Sequence, residues 1–99
     1  MITSKQRAFL RGIASLEDTV FQMGKEGVTE AFLKQLDPAL EKREIIKIKV
    51  LDTAPLTARE IADTLAKATR SNLVQIIGRK IVLYRPASDP DKRKITLPR

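Results

Sequence analysis

The sequence predicts an α/β fold: a two-layer α/β sandwich of order α-β-α-β-α-β-β with a four-stranded mixed sheet. Stretches with apolar residues three and four apart alternate with stretches in which every second residue is apolar. Thr3 and Thr57 each begin a capping box, which is typical of a helix start. Two βαβ units in series favour parallel pairing, and a tight turn at Gly78-Arg79 favours a final antiparallel hairpin.

The first predicted helix begins at Thr3, where Gln6 completes the capping box. Its expected apolar face consists of Phe9, Leu10, Ile13 and Leu16. Arg7 and Arg11 lie one turn apart on the opposite face. Solvation of these two arginines and binding of an anion are equally good interpretations of that spacing.

The first predicted strand, Thr19 to Met23, ends at a loop with two glycines, Gly24-Lys25-Glu26-Gly27. Thr29 then caps the second helix. Glycine permits positive φ and close backbone approach, and the first amides of a helix lack intrahelical partners and attract anions. This loop is therefore a candidate phosphate site. The alternative is a structural turn with an exposed lysine, which the spacing alone favours.

The second helix is expected from about Glu30 to Arg43, with a kink or a break into two short helices at Pro38. The second strand, Glu44 to Leu51, alternates so that Lys47 and Lys49 share one face. A strand face that carries two lysines lies in water or against an anion.

The third helix is expected from about Ala58 to Arg70, with charges of alternating sign on a solvated outer face. Leu73 to Ile77 and Lys80 to Arg85 form the predicted hairpin. One domain, residues 1–86, is thus followed by a polar, basic, proline-marked tail, residues 87–99, that we expect to be flexible.

The charge balance favours a polyanionic partner. The 99 residues include 19 Lys+Arg against 12 Asp+Glu, a net charge of +7, and nucleic acid is the commonest polyanion. An anionic membrane is the competing partner, but no long apolar segment or leader is apparent. The absence of cysteine fits a cytoplasmic setting.

An enzyme is disfavoured by composition. Histidine and cysteine are both missing, which removes the usual zinc ligands, the commonest general base and the thiol nucleophile. The aspartates show no spacing typical of a metal cluster. We therefore expect no catalytic residues, no metal, no cofactor and no small-molecule substrate.

Several segments together resemble one known family. They are Thr3-Ser4-Lys5-Gln6-Arg7 with Leu10-Arg11-Gly12, then Gln22 to Thr29, Ile46 to Lys49, Leu73 to Arg79, and Val82 to Pro86. In this order they are similar to bacterial YhbY-type proteins, stand-alone members of the CRM domain family (chloroplast RNA splicing and ribosome maturation). The resemblance covers nearly the whole chain short of the tail.

The resemblance implies a fold similar to the C-terminal domain of bacterial translation initiation factor three. It also implies RNA binding and, in bacteria, association with precursors of the large ribosomal subunit. The family's G-x-x-G loop maps onto Gly24 to Gly27, with Lys25 as its charged residue. Family members often carry asparagine where this chain has Glu26.

The leading hypothesis is a monomeric RNA-binding module that captures backbone phosphates. Its candidate residues are Gly24, Lys25, Glu26, Gly27, Arg7, Arg11, Lys47, Lys49 and, for base stacking, Tyr84. Because the other aromatic residues are phenylalanines expected mainly in the core, recognition of RNA shape and backbone is favoured over a stacking platform. The alternative is a small basic adaptor that docks on an acidic protein.

Overall fold

Three helices and four strands follow one another in the predicted order. The computed structural model describes residues 2–99. The helices are α1 (Ser4–Ala14), α2 (Glu30–Arg43) and α3 (Ala58–Thr69). The strands are β1 (Thr19–Met23), β2 (Ile45–Val50), β3 (Asn72–Ile77) and β4 (Lys80–Tyr84), and a 3-10 turn follows at Pro90–Lys92.

The helix starts depend on short-range hydrogen bonds that the sequence predicts. The Thr3 hydroxyl accepts the Gln6 amide at 3.1 Å and the Gln6 side chain accepts the Thr3 amide at 3.0 Å, which confirms the first capping box. Thr57 and Glu60 form the second one. Helix α2 continues through Pro38 as one helix, so the break into two short helices is absent, and the alternative, a kink, stays a prediction. Pro38 lies on the exposed side, where water can reach the carbonyl that proline leaves free.

The sheet has the strand order β1-β2-β4-β3. Parallel pairing is confirmed for β1 and β2. It is wrong for β2 and β3, because β4 lies between them and pairs antiparallel with both. Strand β4 has four consecutive buried residues, Ile81 to Tyr84, so both of its faces are apolar and it occupies an inner position of the sheet.

Helices α2 and α3 cover one face of the sheet, as predicted, and α1 lies on the other face. The core under α2 and α3 contains Met23, Leu36, Leu40, Ile46, Ile48, Val50, Ile61, Ala62, Leu65, Ile81 and Leu83. The smaller core under α1 contains Leu10, Ala14, Ile45, Val74, Val82 and Tyr84, with Ile95 and Leu97 packed against it. Helix α1 covers only part of its face, so the rest of that face stays open.

Two residues assigned to the apolar face of α1 are exposed. The helix ends at Ala14, so Leu16 lies beyond it, out of phase with the stripe, and is 89% exposed. Phe9 lies at the margin of the stripe and is 42% exposed. The rings of Phe21 and Phe32 pack edge to face on each other, with centroids 5.7 Å apart, and both contact the larger core.

The segment 87–99 lies against the domain in the structure. Ala87 is fully buried, and Ile95 and Leu97 pack on the smaller core. The buried carboxylate of Glu44 accepts three backbone N–H groups from this segment. The flexibility of the segment stays a prediction. In residues 2–99, no helix has the length and apolar character that a membrane span requires.

Candidate nucleic-acid interface

The glycine loop is a tight turn seated on the connection between β2 and α3. The Gly27 amide donates to the Gly24 carbonyl at 3.0 Å, and Gly27 has φ +66°. A Cβ at Gly27 would lie 3.2 Å from Pro55, and one at Gly24 would lie 3.2 Å from the Thr53 hydroxyl. The positive φ therefore favours glycine at Gly27, and both ends of the loop approach the β2–α3 connection closely.

The loop exposes its two charged residues, Lys25 and Glu26, beside the start of α2. The Thr29 hydroxyl accepts the Phe32 amide at 3.0 Å, so the helix cap satisfies one of the first amides. A cavity of about 320 Å³ separates the loop from Phe32. A helix N-terminus, two glycines and a mobile ammonium group thus surround a space open to an anion.

Two lysines face each other on the open part of the sheet. Lys49 of β2 lies directly opposite Lys80 of β4, on the same face as Lys47. Like charges opposite each other destabilise a sheet. Within residues 2–99, no carboxylate lies within 4.0 Å of either lysine. An external anion would relieve this repulsion.

Further cations adjoin this lysine pair. Arg11 and Lys47 line one cavity of about 280 Å³ where α1 leaves the sheet uncovered, and the Lys47 ammonium donates to the Glu17 carbonyl at 3.1 Å. Gln22, next to Lys49 in the sheet, leads through Met23 into the glycine loop. The strand register links Lys80, Lys49 and Gln22, and Gln22 lines the cavity at the glycine loop together with Lys25. We define the basic surface as Arg11, Lys25, Lys47, Lys49 and Lys80.

Arg7 does not belong to this surface. Its guanidinium is half-buried and donates to the carbonyls of Leu73 and, at 3.1 Å, of Val74. These bonds fasten α1 to β3. Arg7 thus has a structural position, and the two arginines of α1 have different surroundings despite their matching helical spacing.

Tyr84 is only 3% exposed and packs in the core under α1. Burial and the nearby Glu44 carboxylate raise the pKa of its hydroxyl, partly opposed by the charge of Arg93. The prediction of base stacking by Tyr84 is wrong for this structure, because the ring offers no free face to a base. The burial of Tyr84 was not predictable from sequence, because it depends on α1 and the C-terminal segment covering β4.

Arg79 is a cation that the sequence analysis did not select. Its guanidinium pairs with Asp52 at 2.9 Å, and its carbonyl accepts the Val50 amide at 2.7 Å. The hairpin is thereby tied to the β2–α3 connection, which also supports the glycine loop. Lys80 was missed as well, since only the position of β4 beside β2 reveals its pairing with Lys49.

These features define a small basic α/β domain with unpaired cations beside a glycine turn, an arrangement typical of nucleic-acid-binding domains. The family model of the CRS1 / YhbY (CRM) domain matches residues 2–85 of the sequence. The chain belongs to this family of RNA-binding proteins. The family resemblance noted in the sequence is thus confirmed.

Similar proteins extend over nearly the full chain. The "Probable RNA-binding protein YqeI" of Bacillus subtilis (strain 168) is 43% identical over 98 residues, covering 99% of this chain and 100% of the relative. An "RNA-binding protein" of Haemophilus influenzae is 37% identical over 98 residues, covering 99% and 96%. The solution structure of SAV1595 from Staphylococcus aureus superposes with a TM-score of 0.76 at 43% identity, covering 99% and 100%.

Proposed function

We propose that the protein binds ribosomal RNA and assists maturation of the large ribosomal subunit, as a cytoplasmic monomer without catalytic activity. The observation that carries the RNA-binding step is the repulsive pair Lys49 and Lys80, which has no carboxylate partner within residues 2–99. The ribosomal target is inferred from the resemblance to YhbY-type proteins.

Binding proceeds by capture of the RNA backbone. One phosphate lies at the glycine loop, against Lys25 and the first amides of α2, and adjacent phosphates meet Lys49, Lys80 and Arg11. Because Tyr84 is buried and Phe21 and Phe32 pack on each other against the larger core, backbone contacts contribute more than base stacking at this surface. Affinity therefore falls steeply with salt.

The ribosomal target is tested by crosslinking the protein to RNA in its native cells and sequencing the bound fragments. Enrichment of large-subunit ribosomal RNA, above all of immature forms, supports the proposal. Uniform recovery of all cellular RNA contradicts the ribosomal part and leaves a non-specific RNA binder.

The role of the glycine loop is tested by Lys25→Glu. Lys25 is exposed, so we expect a nearly unchanged melting temperature and RNA affinity lowered by about ten-fold at low salt, since one phosphate contact becomes a repulsion. Lys67→Glu, on the exposed outer side of α3, is the matched control and should change affinity much less. Equal affinities of the two variants would show that the loop has only a structural role.

Glu26→Asn should strengthen RNA binding. The Glu26 carboxylate lies at the exposed tip of the loop, and replacing it by a neutral amide removes a repulsion from the approaching phosphate. We expect an increase of about three-fold, near the size of an exposed charge interaction, measured by fluorescence titration with an RNA stem–loop. A decrease in affinity would show that the carboxylate does not face the RNA.

An acidic protein partner is the second candidate. Ile77 and Val20, 53% and 41% exposed, flank the basic surface and would suit a protein contact better than a phosphate. Purification with nuclease treatment separates the two functions. A stoichiometric acidic partner that survives removal of RNA favours the adaptor.

A further inference from the structure

A second group of cations lies at the opposite end of α2 from the glycine loop. A groove of about 760 Å³ opens between the last turns of α2 and the C-terminal segment. The cations of this tail groove are Lys42, Lys92, Arg93 and Lys94. All four are exposed, and within residues 2–99 none of them lies within 4.0 Å of a carboxylate.

The backbone that carries the tail cations is held in place. The Glu44 carboxylate accepts the amides of Lys94 at 2.6 Å and Ile95 at 2.9 Å. The Arg93 side chain donates to the Ala87 carbonyl at 2.8 Å. Preorganised charges lose less conformational entropy on binding than charges on a free tail.

The groove also contains three carboxylates, Glu41, Asp89 and Asp91, so its four cations leave a net charge of +1, and local hydrogen bonds fix the positions of two of these carboxylates. Glu41 accepts the amide and hydroxyl of Ser88 at 2.8 and 2.5 Å, and these bonds lower the pKa of Glu41. Asp89 accepts the Asp91 amide at 3.0 Å, which caps the 3-10 turn. The lysine ammonium groups remain free to meet an anion at the mouth of the groove.

The tail groove and the basic surface lie at opposite ends of α2. Helix α2 has 14 residues, and at 1.5 Å per residue it separates the two sites by about 20 Å. Lys47 and Lys49 also lie on the face of the sheet opposite α2, whereas Pro38, Glu41 and Lys42 of α2 line the groove.

We propose that the tail groove binds a second segment of RNA, so that one molecule bridges two RNA segments. This inference rests on the proposed RNA binding at the basic surface. A protein with two such sites would hold two parts of a folding RNA close together, and this bridging would require both sites to be occupied at once.

Bridging is tested with two copies of one RNA stem–loop, one immobilised and one fluorescent. The full-length protein should bind the immobilised RNA and then retain the fluorescent one. The triple variant Lys42→Gln, Lys92→Gln and Lys94→Gln should bind the immobilised RNA within about three-fold of the unaltered protein, because the basic surface supplies the first contact. Its retention of fluorescent RNA should fall at least about ten-fold.

The control is Lys34→Gln, Arg59→Gln and Lys67→Gln, which removes the same charge from the outer faces of α2 and α3 and should bridge normally. Failure of the unaltered protein to bind the immobilised RNA at low salt overturns the proposed function. Binding without retention overturns only the bridging inference. Retention that persists in the tail-groove variant also overturns it and indicates bridging by protein dimers.

Discussion

Replacement of Lys25, Lys49 and Lys80 together by glutamine should lower RNA affinity by about a hundred-fold at roughly 0.1 M salt. Each phosphate neutralised on a single strand contributes about 0.7 to the log–log salt slope, so three lost contacts reduce the slope by about 2. The hundred-fold figure follows from this slope if the electrostatic contribution to the affinity is zero near about 1 M salt. Fluorescence titration of an RNA stem–loop at several salt concentrations measures both quantities.

The matched control is the outer-face variant already described, Lys34→Gln, Arg59→Gln and Lys67→Gln. It has the same net charge, and glutamine is a comparable helix former. If RNA binding depended on net charge alone, both variants would lose affinity equally, and the basic surface would be contradicted. The lysine variant should also melt no lower than the unaltered protein, because removing the Lys49–Lys80 repulsion does not disturb the sheet.

The parts of the fold that depend on residues close together in the sequence were predictable from it. Thr3 with Gln6 and Thr57 with Glu60 mark helix starts through bonds that span three residues. The strand Thr19–Met23 was predicted with its observed bounds, since an apolar run that ends at glycine is a local signal. The glycine loop was located for the same reason.

The composition of the basic surface was only partly predictable, because it depends on strand order. Lys80 joins Lys49 only when β4 enters between β2 and β3. Arg7 leaves the set because the carbonyls of Leu73 and Val74, far away in sequence, accept its guanidinium. Periodicity shows which face of an element a residue occupies, but it does not show what covers that face.

Glu44 shows the same limit in a residue that stabilises the fold. It was predicted as the first residue of β2, yet it ends α2 with φ +66° and its side chain is fully buried. Its carboxylate accepts the amides of Ala87, Lys94 and Ile95 at 2.9, 2.6 and 2.9 Å. The C-terminal segment that supplies these donors has no periodicity, so this contact could not be predicted from local patterns.

Glu44→Gln should lower the free energy of unfolding by about 2–3 kcal/mol, because an amide NH₂ group replaces one acceptor oxygen and leaves a buried backbone N–H unpaired. For a domain of this size, that corresponds to a melting temperature about 10–20 °C lower. Hydrogen exchange at Lys94 and Ile95 should accelerate as well. Thermal denaturation followed by circular dichroism provides the first measurement.

The same carboxylate should give the protein an acid-sensitive stability. Burial raises the pKa of Glu44, but the three backbone hydrogen bonds and the charge of Arg93 outweigh it, so the folded-state pKa lies below the ordinary 4.5. A lowered pKa contributes stability that is present above the unfolded-state pKa and is lost as the pH falls through the folded-state value. The unaltered protein should therefore lose stability below pH 4.5, and Glu44→Gln should lose less over that window.

Glu41→Gln is the matched control for the Glu44 variant. Glu41 lies one turn earlier on α2, and its side chain, 39% exposed, bonds within residues 2–99 to Ser88 and Arg85. Because water can replace those partners, the loss of stability should be well below that of Glu44→Gln. Equal melting temperatures for Glu44→Gln and the unaltered protein, with unchanged exchange at Lys94 and Ile95, would contradict the assigned role of Glu44. The C-terminal segment would then be held by its other contacts, among them the packing of Ile95 and Leu97 on the core under α1 and the bonds of Ser88 to Glu41.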